Sequence, residues 1–260
     1  MKVLVNVYAW DNPKLYQSDF ALVEGDQVIV AAEYSNEIGI VESIVENTNE
    51  DPKEKILRVA TPRDREVFLQ CEAQKAQCLE VCHRGIKESK LEMKLIDARV
   101  SLDGKQIIFA FTADGRIDFR ELVRSLSKEL KKSIRMQQIG SRDEARKLGG
   151  YGICGRELCC VRNNGNMQSI TTDMARVQQI AHRGSDRMSG LCGRLMCCLA
   201  YEAQQYKEML VGMPELHSNI TTKEGRGFVI EVNAITQEIK VKLENGKYLA
   251  LKKEDIRPIA

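Results

Sequence analysis

A nine-residue pattern is written twice in this chain. It occurs as Gly152-Ile153-Cys154-Gly155-Arg156-Glu157-Leu158-Cys159-Cys160 and, 38 residues later, as Gly190-Leu191-Cys192-Gly193-Arg194-Leu195-Met196-Cys197-Cys198. Both copies contain C-G-R-x-x-C-C, so six sulfurs fall into two matching triads. On one continuous helix, cysteines at i, i+5 and i+6 would point about 140° and 240° apart, too scattered to converge on one ion. The first cysteine of each triad is therefore expected in a loop. The glycines around it are expected to let backbone amides turn toward a thiolate, and the last two cysteines to sit near a helix start, where the helix dipole favours negative charge.

The remaining cysteines, Cys71, Cys78 and Cys82, recur with Val67 and Ile86 on one face of a helical pattern and read as core packing rather than ligation. His83, His182 and His217 are scattered and read as surface or structural groups. Nine is an odd number of cysteines, and they cluster, which argues against a disulfide framework and for reduced thiols, some of them binding metal. The opening MKVLVNVYAWDN breaks its apolar run at Asn6 and Asp11, and no apolar stretch approaches the roughly 20 residues that span a bilayer. Neither export nor a membrane span is expected, which makes the chain cytoplasmic.

Ligand counting narrows the metal. A zinc ion or a four-iron four-sulfur cluster takes four protein ligands as a rule, and one triad supplies at most three. Either four of the six cysteines meet, or each triad is completed from elsewhere, such as a partner chain. Adjacent cysteines crowd one small zinc ion, whereas a cluster spreads its ligand positions, so a 4Fe-4S iron–sulfur cluster is favoured and zinc is the alternative. Between Tyr151 and Cys198 stand Arg156, Arg162, Arg176, Arg183, Arg187 and Arg194 against Glu157, Asp173 and Asp186, a surplus that offsets bound thiolates. Arg156 and Arg194 are expected to neutralise the site or brace its loops.

The rest of the chain supplies the frame, and an α+β fold in four parts is expected. Residues 1–60 read as a small β-rich module: VLVNVY, QVIVAAEY and EIGIVESIVE suggest an antiparallel barrel or sheet, and a short strand follows the break at Asp51-Pro52-Lys53-Glu54. Residues 61–140 read as an α+β sandwich, helices covering one face of a mixed sheet. Thr61-Pro62 opens a long helix, LEMKLIDARV and QIIFAF form a hairpin across Asp103-Gly104, Asp118 and Glu121 are spaced as a capping pair for a second helix, and SIRMQQIG is a strand. Residues 141–210 are the cysteine-rich metal- or cluster-binding region. Residues 211–260 return to short strands and read as an SH3-like β-barrel.

At LEMKLIDARVSLDGKQIIFAFTADGRIDFRELVRSL, QIGSRDEARKLGGYGICGRELCC and MSGLCGRLMCCLAYE the chain resembles the bacterial YaaT proteins, also called RicT, built around the polymerase-suppressor C-terminal domain. The resemblance runs from about Thr61 to Tyr201. It implies a regulatory subunit rather than an enzyme, associated with two small helical proteins, YlbF and YmcA, in a cytoplasmic complex that carries 4Fe-4S clusters. It also implies work with ribonuclease Y in mRNA processing, and an influence on sporulation, competence and biofilm formation. Carried over by position, the cluster ligands are Cys154, Cys159, Cys160, Cys192, Cys197 and Cys198.

Two other classes compete. A zinc-stabilised nucleic-acid-binding module would use Lys128, Lys131, Lys132, Arg135, Arg142, Arg146 and Lys147 as a basic stripe, with the terminal barrel touching RNA. A net charge of +2 and 5% aromatic residues weigh against direct RNA contact over the whole chain. A thiol redox enzyme ranks last, because no C-x-x-C and no adjacent base accompany the vicinal cysteines.

Overall fold

The computed structural model describes residues 1–32, 35–45, 51–52, 54–163, 169–180 and 184–255. The ends of QVIVAAEY and EIGIVESIVE, together with Lys53, His182, Arg183 and residues 256–260, lie outside them. The chain is α+β and divides into two compact units, Met1–Asn166 and Met167–Ala260. The division falls between the two cysteine triads. Among the described residues, no helix is long and apolar enough to cross a membrane.

The first unit opens with a closed five-stranded barrel: β1 (Lys2–Asn6), β2 (Lys14–Gln17), β3 (Gln27–Ala31), β4 (Asn36–Val45) and β5 (Glu54–Val59), in the order β1-β2-β5-β3-β4. Alternation sends Val3, Val5, Val28, Val30 and Val41 inward, where they meet Tyr16 and Ile56. The barrel is not wholly antiparallel, because β2 and β5 pair in parallel with Tyr16 opposite Glu54. Strand β2 carries no alternating run long enough to be read as a strand; it is four residues that close the ring.

Helix α1 (Pro62–Glu88) begins as its sequence dictates. The Thr61 hydroxyl accepts from the Asp64 amide, and the Asp64 carboxylate accepts from the Thr61 amide at 2.8 Å. Its apolar stripe lies on a three-stranded mixed sheet of β6 (Lys94–Val100), β7 (Gln106–Thr112) and β8 (Ser133–Gln138), in which β6 and β7 are antiparallel and β7 and β8 parallel. Helix α2 (Arg120–Leu130) completes that layer with Leu122 and Leu126. Cys71, Cys78 and Cys82 are buried here among Ala98, Val100, Ile107 and Phe109.

The expected capping pair at α2 is not formed. Phe119 occupies the cap position without a side-chain bond, and Asp118, one residue too early, accepts from the Arg120 amide and guanidinium. The opposite face of β7 is covered as well: Ile108 and Ala110 pack against Trp10, with Tyr8 and Ile139 beside them. A strand buried on both faces explains the unbroken apolar run IIFAF.

Helix α3 (Ser141–Leu148) follows, where the sequence shows no apolar stripe, and none of its residues is buried. Charge anchors it instead. Lys147 lies 2.8 Å from Asp97 on β6, Arg146 donates to the Trp10 carbonyl at 2.7 Å, and Glu144 accepts from Thr112 at 3.2 Å. One turn of helix, α4 (Cys159–Arg162), ends the described part of this unit's cysteine segment.

The second unit begins with α5 (Thr172–Val177), α6 (Ser185–Met188) and α7 (Cys198–Leu210). Gln178 is buried and donates to the Leu199 carbonyl at 2.7 Å, bracing the start of α7. Four antiparallel strands close the chain: β9 (Asn219–Thr222), β10 (Gly225–Asn233), β11 (Glu238–Leu243) and β12 (Tyr248–Lys252), in the order β12-β11-β10-β9. Ile220, Val229, Val232, Ile239, Val241 and Leu243 form their core, with Leu210 and Met213 against it.

Candidate metal centre

The two copies of the repeat fold alike. Tyr151 pairs with Glu157, and Ser189 pairs with Leu195, as isolated antiparallel bridges closing equivalent turns. In the first turn the Gly152 amide donates to the Arg156 carbonyl at 2.8 Å and the Gly155 amide to the Gly152 carbonyl at 3.0 Å. In the second, Gly190 donates to Arg194 at 2.8 Å and Gly193 to Gly190 at 2.9 Å. Each turn holds its first cysteine, Cys154 or Cys192, at the bend. Each then runs into a helix start carrying the other two: Cys159 and Cys160 open α4, while Cys197 caps and Cys198 opens α7. The sequence reading that puts the first cysteine in a loop and the pair at a helix start matches this geometry.

The amides of Gly152, Gly155, Gly190 and Gly193 are taken up by the hairpin bonds themselves. The glycines serve the turn itself. Gly155 and Gly193 both sit at φ +73°, a left-handed backbone that disfavours side chains. At Gly152 a Cβ would lie 3.5 Å from the Cys154 sulfur, and at Gly190 3.8 Å from the Cys192 sulfur, so glycine leaves one side of each sulfur bare. Gly155→Ala and Gly193→Ala are each expected to cost about 1 kcal/mol, the usual penalty for forcing a side chain into this backbone region. Chemical denaturation of each variant measures it.

Burial grades the six sulfurs. Cys154 is exposed, Cys159, Cys192, Cys197 and Cys198 are half-buried, and Cys160 is buried. None of the nine cysteines is joined in a disulfide. The three on α1 are unlike the six. Burial pushes the Cys82 thiol up to about 12, with Cys78 adding to it, and burial also raises Cys71 and Cys78. The Cys71 thiol donates to the Ser101 carbonyl at 3.5 Å. These three are core groups, held neutral.

The donor set suits a soft metal, since sulfur is its only recurrent ligand type. Among the described residues, however, no three His, Cys, Asp or Glu side chains stand together as a metal-holding group. Within each triad the bend cysteine and the helix pair lie on different elements. Of the scattered histidines, His83 is exposed on α1 and His217 is exposed in the loop before β9.

Residue-level comparison adds the lineage. Residues 54–139 match the PSP1 C-terminal conserved region, and residues 169–213 match the third domain of PSP1-like proteins. The chain is 38% identical over 223 residues to the stage 0 sporulation protein YaaT of Bacillus subtilis (strain 168), covering 86% of this chain and 78% of that protein. The chain belongs to the YaaT family. It is also 40% identical over 82 residues to an uncharacterized protein of Schizosaccharomyces pombe, covering 32% of this chain and 11% of that one. No solved structure matches it.

On the YaaT-family chain, the PSP1 region spans β5 through β8 with α1 and α2, and the third-domain region holds the second triad. Two features escaped the residue-type reading. The side chain just before each bend cysteine is a bare aliphatic: Ile153 is 77% exposed and Leu191 is 67% exposed. Aligning the two copies with each other is the signal that reveals them. The other is the ionic seat of α3, for which no sequence pattern exists.

Proposed function

We propose that this chain is a non-catalytic regulatory subunit of the YaaT type. Its 4Fe-4S ligands are drawn from the paired motifs, from among Cys154, Cys159, Cys160, Cys192, Cys197 and Cys198. It assembles in the cytoplasm with small helical proteins of the YlbF and YmcA kind, and with them modulates ribonuclease Y-dependent mRNA processing and developmental decisions such as sporulation and biofilm formation. The observation that carries this reading is the repetition of one hairpin-to-helix geometry, with cysteine at the same three places each time. Packing alone gives no reason for that. The 38% identity to a stage 0 sporulation protein supports the regulatory role.

A bound cluster would supply an oxidant-sensitive structural cross-link. This chain's own contribution is to present sulfur from a rigid bend and from a helix start. The count of three sulfurs per triad against four ligands per cluster makes a partner chain a natural source of the remainder.

Iron, acid-labile sulfide and zinc are to be measured on the full chain purified without oxygen, alone and together with its helical partners. Iron and sulfide in equal amounts, with broad visible absorption, are expected. Stoichiometric zinc without sulfide would replace this reading with the zinc-stabilised module. Protein free of both metals in both preparations would remove the metal from the account.

A further inference from the structure

The C-terminal sheet has one wet face, and its composition is unlike that of the chain as a whole. Alternation along β9 to β12 sends the aliphatic side chains into the core beneath, and the residues between them point outward. Register sets Phe228 opposite Lys242, and Lys242 opposite Tyr248, so these three form one row across β10, β11 and β12. Both side chains reach solvent: Phe228 is 39% exposed and Tyr248 is 65% exposed. The Lys242 ammonium lies 5.9 Å from the centre of the Tyr248 ring.

Cations flank this row on the same face. Arg226 precedes Phe228 by two positions on β10, and Lys252 follows Tyr248 by four on β12; both are exposed. Glu231 is occupied by Lys240 at 2.6 Å, which leaves Glu238, opposite Lys252, as the other strand carboxylate facing the same way. Sheet stability does not require exposed aromatics beside a row in which cations outnumber carboxylates: Arg226, Lys242 and Lys252 share this face with Glu238, the carboxylate opposite Lys252. Two rings two strands apart, about 10 Å at ordinary strand spacing, suit bases unstacked from each other along an extended strand. The cations suit the phosphates between them.

We propose that this face is a docking platform for single-stranded nucleic acid, with Phe228 and Tyr248 stacking bases and Arg226, Lys242 and Lys252 meeting the backbone. An acidic peptide would satisfy the cations but gives no use for the rings. The platform is independent of the cysteine reading: it lies on other elements and needs no metal.

Fluorescence anisotropy of a labelled oligouridylate, its deoxy counterpart and a labelled poly-glutamate, titrated with the full chain at low salt, tests it. Wild-type protein is expected to bind the single strands, with affinity falling as salt rises. Phe228→Ala with Tyr248→Ala should weaken that binding about 10-fold or more, and Lys242→Glu should weaken it comparably while leaving both rings in place. Circular dichroism should be unchanged, because all three side chains lie outside the core. The arms with RNA and DNA report which sugar is preferred. No binding of either strand by the wild type would overturn the platform. So would full affinity in the folded double variant, or poly-glutamate binding as tight as the oligonucleotide's and equally indifferent to loss of the rings.

Discussion

Cys159→Ser and Cys197→Ser are each expected to lower iron affinity by more than about 100-fold in the anaerobically purified chain. Loss of an outer-shell partner already costs 10- to 100-fold in metal sites, and these positions are proposed as ligands themselves. Serine keeps the size and the hydrogen-bonding capacity of the side chain but removes the soft donor, so the helix starts at α4 and α7 should persist. Cys82→Ser provides the contrast. Its sulfur is fully buried and held neutral among apolar neighbours, so the hydroxyl would be unsatisfied and stability should fall by about 1–3 kcal/mol with iron content unchanged. Iron analysis and denaturant unfolding on the three variants separate the two roles. Undiminished iron in both Cys159→Ser and Cys197→Ser would withdraw the ligand assignment.

Asp97→Ala is expected to destabilise the first unit by about 3 kcal/mol. Asp97 is 3% exposed and holds Lys75 of α1 at 2.5 Å and Lys147 of α3 at 2.8 Å. Removing it strands two cations against a buried surface; the cost sits at the low end for broken buried pairs because both lysines can reach water. It also unseats α3, which leads directly into the first cysteine turn, so limited proteolysis should speed up between Lys147 and Cys154.

The same carboxylate makes a pH prediction. Burial pushes the Asp97 carboxyl up, but hydrogen bonds from Lys147 and Lys75 outweigh that and hold it below the usual range. A depressed acid contributes stability that is present above its unfolded value, near pH 4, and is lost as pH falls toward its folded value. Relative to the wild type, Asp97→Asn should therefore be less stable at neutral pH, with the gap narrowing below about pH 4. A constant gap from pH 7 to pH 3 would show that Asp97 does not stay ionised between the lysines.

Legibility followed the kind of force at work. Helix α1 could be read in advance because Thr61-Pro62 marks its start and an apolar stripe marks its buried face. The turns carrying Cys154 and Cys192 could be read because cysteines at i, i+5 and i+6 cannot share a helix. Helix α3 could not, since its bonds to Asp97, Trp10 and Thr112 come from residues distant in sequence and leave no periodic trace. The charge cluster of Arg99 with Glu37 and Glu72 was hidden for the same reason: three polar residues from three separate elements meet only after folding. The capping pair at α2 misled by a single residue, the shift that moves Asp118 outside the first turn.

Strand β7 wears two coats, helices on one side and Trp10 of the barrel on the other. A fragment starting at Thr61 would strip the second coat and put Ile108 and Ala110 in water, so such a fragment should clump or stay poorly folded on its own. The loop that carries Trp10 thus belongs to the folding unit of a sheet whose strands begin some eighty residues later.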